Sequence, residues 1–361
     1  MPRSRRFRSA ARQAGGVARF RLLVGGIALF AGTSMAGCGT IADADSPGVV
    51  GPSANRSSDA TAMDGPVLPV GWRWESFAGA QVGVPGDWGW TNSSQRIGQW
   101  CVDEGRQTLL EPAVGRPGGS TLVGCSAFDK AVPQEMLVRN TGEIVAFEPD
   151  FAGAPEMKDA GDRLTVRTAG LSVIIQSRDE ALRKRIAATV HQVDVDANGC
   201  PADDPVAQHP GQRPTPVIDL EDPTARDGVA WVSACKYVIS YPDHPLELPP
   251  LLGSRRFDGV AARDLLATLV AAAPGSGPNA PESCMREYSY GDELTVLLIH
   301  LDQPGQALQR VHVRYTGCDH HGTDDGTTRR ILTRDFMQPL LGEGLGPPWG
   351  YSAEVDPILR P

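Results

Sequence analysis

The stretch DELTVLLIH, residues 292–300, constrains the fold of this chain more than any other. Side chains alternate along a strand, so Leu294, Val296 and Leu298 point one way and Leu297 and Ile299 the other. An apolar residue on both faces is the signature of a central strand covered on both sides. Its neighbours fit that placement. VAWVSACKYVIS, LQRVHVRYTG and TTRRIL read as further strands, with the turn-rich DQPGQA joining the second of these to the central strand. DGVAARDLLATLVAAA reads as a helix that turns Ala262, Leu265, Leu266, Leu269 and Val270 inward, and a last helix capped near Thr333 presents Phe336, Met337, Leu340 and Leu341.

The preceding half repeats these ingredients. WRWESFAGAQVGVPGDW predicts two short strands around a glycine turn, and RLTVRTAGLSVIIQS a second hairpin. SRDEALRKRIAATVHQV follows as an amphipathic helix, its capping box at Ser177 and Glu180, with Leu182, Ile186 and Val190 on one face and Arg183, Lys184 and Arg185 largely away from it. Hairpins with helices on one side indicate an α+β fold, without the βαβ rhythm of nucleotide-binding folds. The expected architecture is two small domains, 69–196 and 216–361, each an antiparallel sheet with one or two helices packed on one side. Residues 197–215, rich in proline and polar side chains, are the expected linker.

Upstream of residue 69 the chemistry changes twice. The first 21 residues hold seven arginines and no acid, and a 16-residue apolar run follows from Leu22 to Gly37. That is the layout of an export signal, with a run short of the roughly 20 residues that a spanning helix needs. An uncleaved anchor is the alternative. Residues 38–68 are small, polar and acidic, a composition that cannot bury enough surface to order itself, so a flexible tether is expected. Without residues 1–37 the chain keeps 27 basic and 43 acidic residues, a net charge of −16. That sign excludes nucleic acid as an expected partner, since its binders present basic surfaces.

The junction Met35-Ala36-Gly37-Cys38 resembles the lipobox of bacterial lipoproteins. The resemblance implies that residues 1–37 are a removed signal peptide. It also implies that Cys38 carries a thioether-linked lipid, and that the protein sits on the outer face of the cell membrane. Downstream, GWRWESF…VPGDWGW, VGRPGGSTLVGC and the SACKY…ESC…YTGC series resemble cysteine-containing lipoproteins of actinobacteria, a resemblance that carries no activity with it. Setting Cys38 aside leaves Cys101, Cys125, Cys200, Cys235, Cys284 and Cys318. An exported chain with an even set is expected to form disulfides, and six cysteines allow 15 pairings. Domain boundaries favour Cys101–Cys125, Cys200–Cys235 and Cys284–Cys318.

Four constellations are candidates for function. Trp72, Trp74, Trp88, Trp90 and Trp100 fall within 29 residues; exposed, they would stack on glycans, but their area suits a core, and at least one ring of each i, i+2 pair is expected to be mostly buried. Arg310, His312 and Arg314 alternate with Val311, Val313 and Tyr315, predicting a basic stripe for an anionic ligand or acidic partner, or one merely solvated or paired locally. Asp319, His320, His321, Asp324 and Asp325 are dense in metal-ligand types but match neither the calcium loop nor HExxH, and Asp325-Gly326 reads as a hairpin turn. Ser233 and Lys236 satisfy S-x-x-K, yet on a strand they point to opposite faces, and no S-D-N or K-T-G follows. No Walker A, dinucleotide or nucleophile-elbow motif occurs in the chain beyond residue 38, so neither a cofactor nor a metal is expected. The reading is therefore a membrane-tethered binding module with an envelope protein or glycan as partner. The alternatives are an envelope hydrolase using His312, His320, His321 and nearby acids, and an assembly factor.

Overall fold

The computed structural model describes residues 66–91, 111–116, 143–150, 157–239, 246–279, 293–302, 308–316, 321–342, 344–346 and 355–359. Cys38, Trp100, Cys101, Cys125, Cys284, Cys318, Asp319 and His320 lie outside them. The fold is α+β. Residues 58–361 form one compact unit, with the sheets of the first and second halves separate within it.

In the first half, β1 (Trp72–Phe77) and β2 (Ala80–Pro85) form the predicted hairpin and are joined by β9 (His191–Gln192). A six-stranded sheet runs β3-β4-β5-β8-β7-β6, built from Gly89–Thr91, Ala113–Gly115, Ile144–Pro149, Leu171–Gln176, Arg163–Thr168 and Met157–Ala160. The hairpin β7–β8 is the one read from sequence. β3 and β4, and β4 and β5, pair in parallel, a departure from the antiparallel expectation that arises from pairing between strands distant in sequence.

Helix α1 (Glu180–Ala187) buries Ile186 against this sheet, with Leu182 and Val190 partly buried beside it. Its cap is Asp179, whose carboxylate accepts from Ala181 and Leu182 N–H, so the cap lies two residues later than expected and the Ser177–Glu180 capping box does not form. Glu180 instead pairs with Lys184 one turn on. Arg183 is buried and donates to the Ser177 carbonyl, contrary to its predicted exposure.

The second half is an antiparallel sheet in the order β11-β10-β12-β13-β14-β15: Leu251–Asp258, Val229–Val238, Glu293–Leu301, Gln309–Arg314, Gly322–Asp324 and Arg329–Arg330. The strand with two apolar faces is β12, at the sheet's interior. Leu297 and Ile299 join Val232, Ala234, Val311 and Val313 in a core covered by α3 (Gly259–Ala271) and α4 (Arg334–Leu340), which follow the short α2 (Pro223–Asp227). Of the expected inward residues, Ala262, Leu265, Leu266, Leu269, Phe336, Met337, Leu340 and Leu341 are buried there, and Val270 is partly buried against them.

Leu294, Val296 and Leu298 face the other way, onto Cys200, Val206, Cys235 and Tyr237. The second face is thus covered by the segment expected as a linker, with no helix longer than the 3₁₀ turn Pro205–Ala207. Buried aspartates replace regular structure within it. Asp196 accepts from Asn198 and Cys200 N–H, and Asp204 accepts from Val206 N–H. The Cys200–Cys235 disulfide is present, with Cα atoms 5.5 Å apart and a sequence separation of 35. Closing a loop of that length removes about 4 kcal/mol of unfolded-state entropy in the chain-entropy account. Replacing both cysteines by serine is expected to lower unfolding stability by about 3–4 kcal/mol in denaturant titrations; an unchanged midpoint would show that the staple is dispensable.

Candidate functional site

A pocket of about 160 Å³ opens on the covered face of the second sheet, at its β13–β15 flank. Antiparallel partners share a face, and the register sets His312 opposite Asp324, Arg314 opposite Gly322, and Asp324 opposite Arg329. Those side chains line the pocket with His321 and Thr323. Residues 210–213 and Gly275-Ser276 complete the wall. Gly275 N–H donates to the Arg329 carbonyl and Gly277 N–H to the His321 carbonyl, which fixes the PGSGPN loop against β15. Gly322 has φ +141°, and a Cβ there would lie 2.6 Å from the Arg330 carbonyl oxygen, so the pocket floor requires glycine.

The wall at 210–213 is held by charge. Arg213 donates from Nε and Nη2 to the two oxygens of Asp324, both at 2.8 Å, and Arg329 Nε reaches Oδ2 at 2.9 Å. Burial alone would raise the Asp324 carboxyl, but Arg213, the Gly326 N–H and Arg329 outweigh it and hold it down at about 2. Asp325-Gly326 forms the predicted hairpin turn, with φ +93° at Gly326. A Cβ at Gly326 would meet the Pro214 carbonyl oxygen at 2.3 Å, so the turn and the 213–216 segment fit only with glycine between them.

Of the predicted basic stripe, Arg310 is paired: its Nη2 donates to both oxygens of buried Asp204, at 2.7 and 2.8 Å. His312 and Arg314 enter the pocket. The stripe therefore lies under the 196–213 segment and not on an open face. His312 is 9% exposed, and burial, then the positive charge of Arg310, pushes its imidazole down to about 4. It makes no hydrogen bond to a described residue. The Arg314 side chain has neither a hydrogen bond nor an ion pair among the described residues, and its Nε is shielded from solvent. By contrast, Arg330 on the opposite face is held by Asp325 and Glu221.

The remaining candidates resolve into structure. Trp88 is buried, while Trp72 and Trp90 are partly buried against the first core. Trp90 Nε1 donates to Glu75 at 2.8 Å beneath the Arg73 guanidinium, and Trp74 meets His191 edge-on. Trp88 thus belongs to the core, while Trp72, Trp74 and Trp90 keep partial exposure. Ser233 and Lys236 do point apart. The serine donates to the Asn198 carbonyl at 2.6 Å with His300 Nε2 at 3.2 Å, and Lys236 Nζ sits 2.8 Å from Glu293. Ser233 and His300 have the spacing of a catalytic pair, but Ser233 is wholly buried, which denies it to a substrate. His321 donates from Nδ1 to the Pro278 carbonyl. Among the described residues no group of three or more His, Cys, Asp or Glu is placed to hold a metal.

Arg213, Arg329, Ser276 and Asp204 were not singled out from sequence. HPGQRP and PGSGPN carry only turn signals, and the pairing of Arg213 with Asp324 spans 111 residues. Comparisons with models of known protein families, with curated proteins and with solved structures each return no match.

The depressed imidazole links stability to pH. Between pH 6.5 and 4 the unfolded chain binds a proton at His312 that the folded chain does not, so stability falls as pH falls through that window. A shift of this size is worth about 3 kcal/mol. His312→Asn is expected to lose about 3 kcal/mol less than the wild type between pH 6.5 and 4 in denaturant titrations. Identical slopes would contradict a buried neutral imidazole.

Proposed function

We propose that the chain is a lipid-anchored binding module of the bacterial envelope, with the pocket between β13–β15 and residues 210–213 as its recognition site. The observation that carries this reading is Arg314, a partly buried guanidinium with no partner among the described residues, facing a pocket assembled from distant parts of the chain. Buried polar groups are normally hydrogen-bonded to protein, ordered water, a ligand or an ion, and at Arg314 the described protein side chains supply no such partner. The pocket is smaller than the roughly 300–1,000 Å³ of sites for drug-sized molecules, which suits a single small headgroup.

An envelope hydrolase is the second reading, because the pocket does gather His312, His321 and Asp324. Asp324 argues against it. Its two oxygens are taken by arginines and its acidity is that of a fixed counter-ion, so it is poorly suited to accept a proton near neutral pH. The anchoring part of the proposal rests on the lipobox resemblance at Cys38; among the described residues no helix is long and apolar enough to cross a membrane.

Both parts can be read from protein extracted from cell envelopes. Cys38→Ala is expected to leave the precursor unprocessed or release the protein from the membrane fraction. Ser276→Trp, at an exposed position on the pocket wall, is expected to abolish a small-molecule adduct seen by native mass spectrometry of the wild type. A C38A protein that is still acylated and equally membrane-bound contradicts the anchor, and an adduct that survives S276W contradicts the pocket.

A further inference from the structure

We infer that the pocket takes a dianionic tetrahedral oxyanion of the phosphate monoester type, with the Arg314 guanidinium as its principal contact. This rests on the pocket being the recognition site and names the chemistry of what it recognises.

The first support is the charge balance. Among the described residues the lining holds Arg213, Arg314 and Arg329 against Asp324, an excess of two positive charges in a chain whose formal charge is −9. A phosphate monoester carries about −1.5 to −2 at neutral pH and would neutralise that excess, where a carboxylate would leave half of it. The second support is the donor set. Arg213 uses Nε and Nη2 on Asp324, and Arg329 uses Nε, which leaves Nη1 of the one and both Nη groups of the other, beside the two Nη groups of Arg314. A planar guanidinium offers two parallel N–H groups that match two oxygens of a phosphate. The neutral imidazole of His312 adds one ring N–H.

Asp324, which would repel an anion in isolation, is already covered on both oxygens by arginines and by the Gly326 N–H. Gly322 opposite Arg314 leaves the cross-strand position without a side chain, so the space beside the guanidinium stays open. The other arginines on these strands show the contrast: Arg310 ends on Asp204, Arg329 on Asp324 and Arg330 on Asp325, and Arg314 is left to the pocket.

The test is calorimetric titration of the full detergent-extracted chain with inorganic phosphate, glycerol 3-phosphate, sulfate and acetate at neutral pH. Both phosphates and sulfate are expected to bind more tightly than acetate, and more weakly as salt is added. Arg314→Met is expected to weaken phosphate binding at least about tenfold, the scale of a lost charge-assisted hydrogen bond. Arg314→Lys, which keeps the charge without the fork, should fall between, and Lys184→Met on the distant helix α1 should bind as the wild type. Tighter binding of glycerol 3-phosphate than of phosphate assigns the site to a phosphorylated headgroup, and the reverse order assigns it to free phosphate. Both orders uphold the class. Acetate binding as tightly as phosphate, or R314M binding phosphate with unchanged affinity while melting as a folded protein, overturns it. An S276W-sensitive adduct without affinity for any oxyanion would reject this ligand class and leave the pocket reading standing.

Discussion

The second sheet is covered on one face by helices and on the other by a segment with almost no regular structure, and the fold depends on how that segment is held. Three ties cross the strands in order. Cys200 is bonded to Cys235 on β10, Asp204 takes Arg310 on β13, and Arg213 takes Asp324 on β14. Leu294, Val296 and Leu298 gain their cover from the same segment. The wall of the pocket is the end of this chain of ties, so the geometry of the site follows from the closure of the core.

Charge is distributed along that path with little left over. Asp204 is almost wholly buried, and an unpaired carboxylate in that position would be strongly destabilising, which fixes Arg310 to it and removes the outermost member of the basic stripe from any role in binding. Asp324 joins β14, β15 and residue 213. Arg314 stands on the same strand face as Arg310 without a comparable partner. The site is defined as much by the pairing of its neighbours as by its own residues.

Much of this fold was legible from apolar spacing. The two-faced strand β12 and the inward residues of α3 and α4 follow directly from their periodicities, because buried area dominates where those side chains can go. The turn at Asp325-Gly326 was legible too, since its φ of +93° at Gly326 suits glycine. The covering segment was not. Its proline and polar content is that of a tether, and what orders it is a set of buried aspartates capping backbone N–H groups, which composition does not distinguish from solvated ones. The parallel pairs β3–β4 and β4–β5 carry no local signal. Within the site, His312 and Arg314 were legible from alternation on one strand, whereas Arg213, Ser276 and Arg329 come from segments that only the tertiary fold brings together.

The central claim is that Arg314 is kept for a tetrahedral anion. Anomalous diffraction from crystals of the protein soaked in tungstate, a heavy tetrahedral dianion, tests this directly. A peak is expected within hydrogen-bond reach of the Arg314 guanidinium, between the 210–213 wall and Ser276. A pocket empty of tungsten, with Arg314 turned onto one of the chain's own carboxylates, would contradict it.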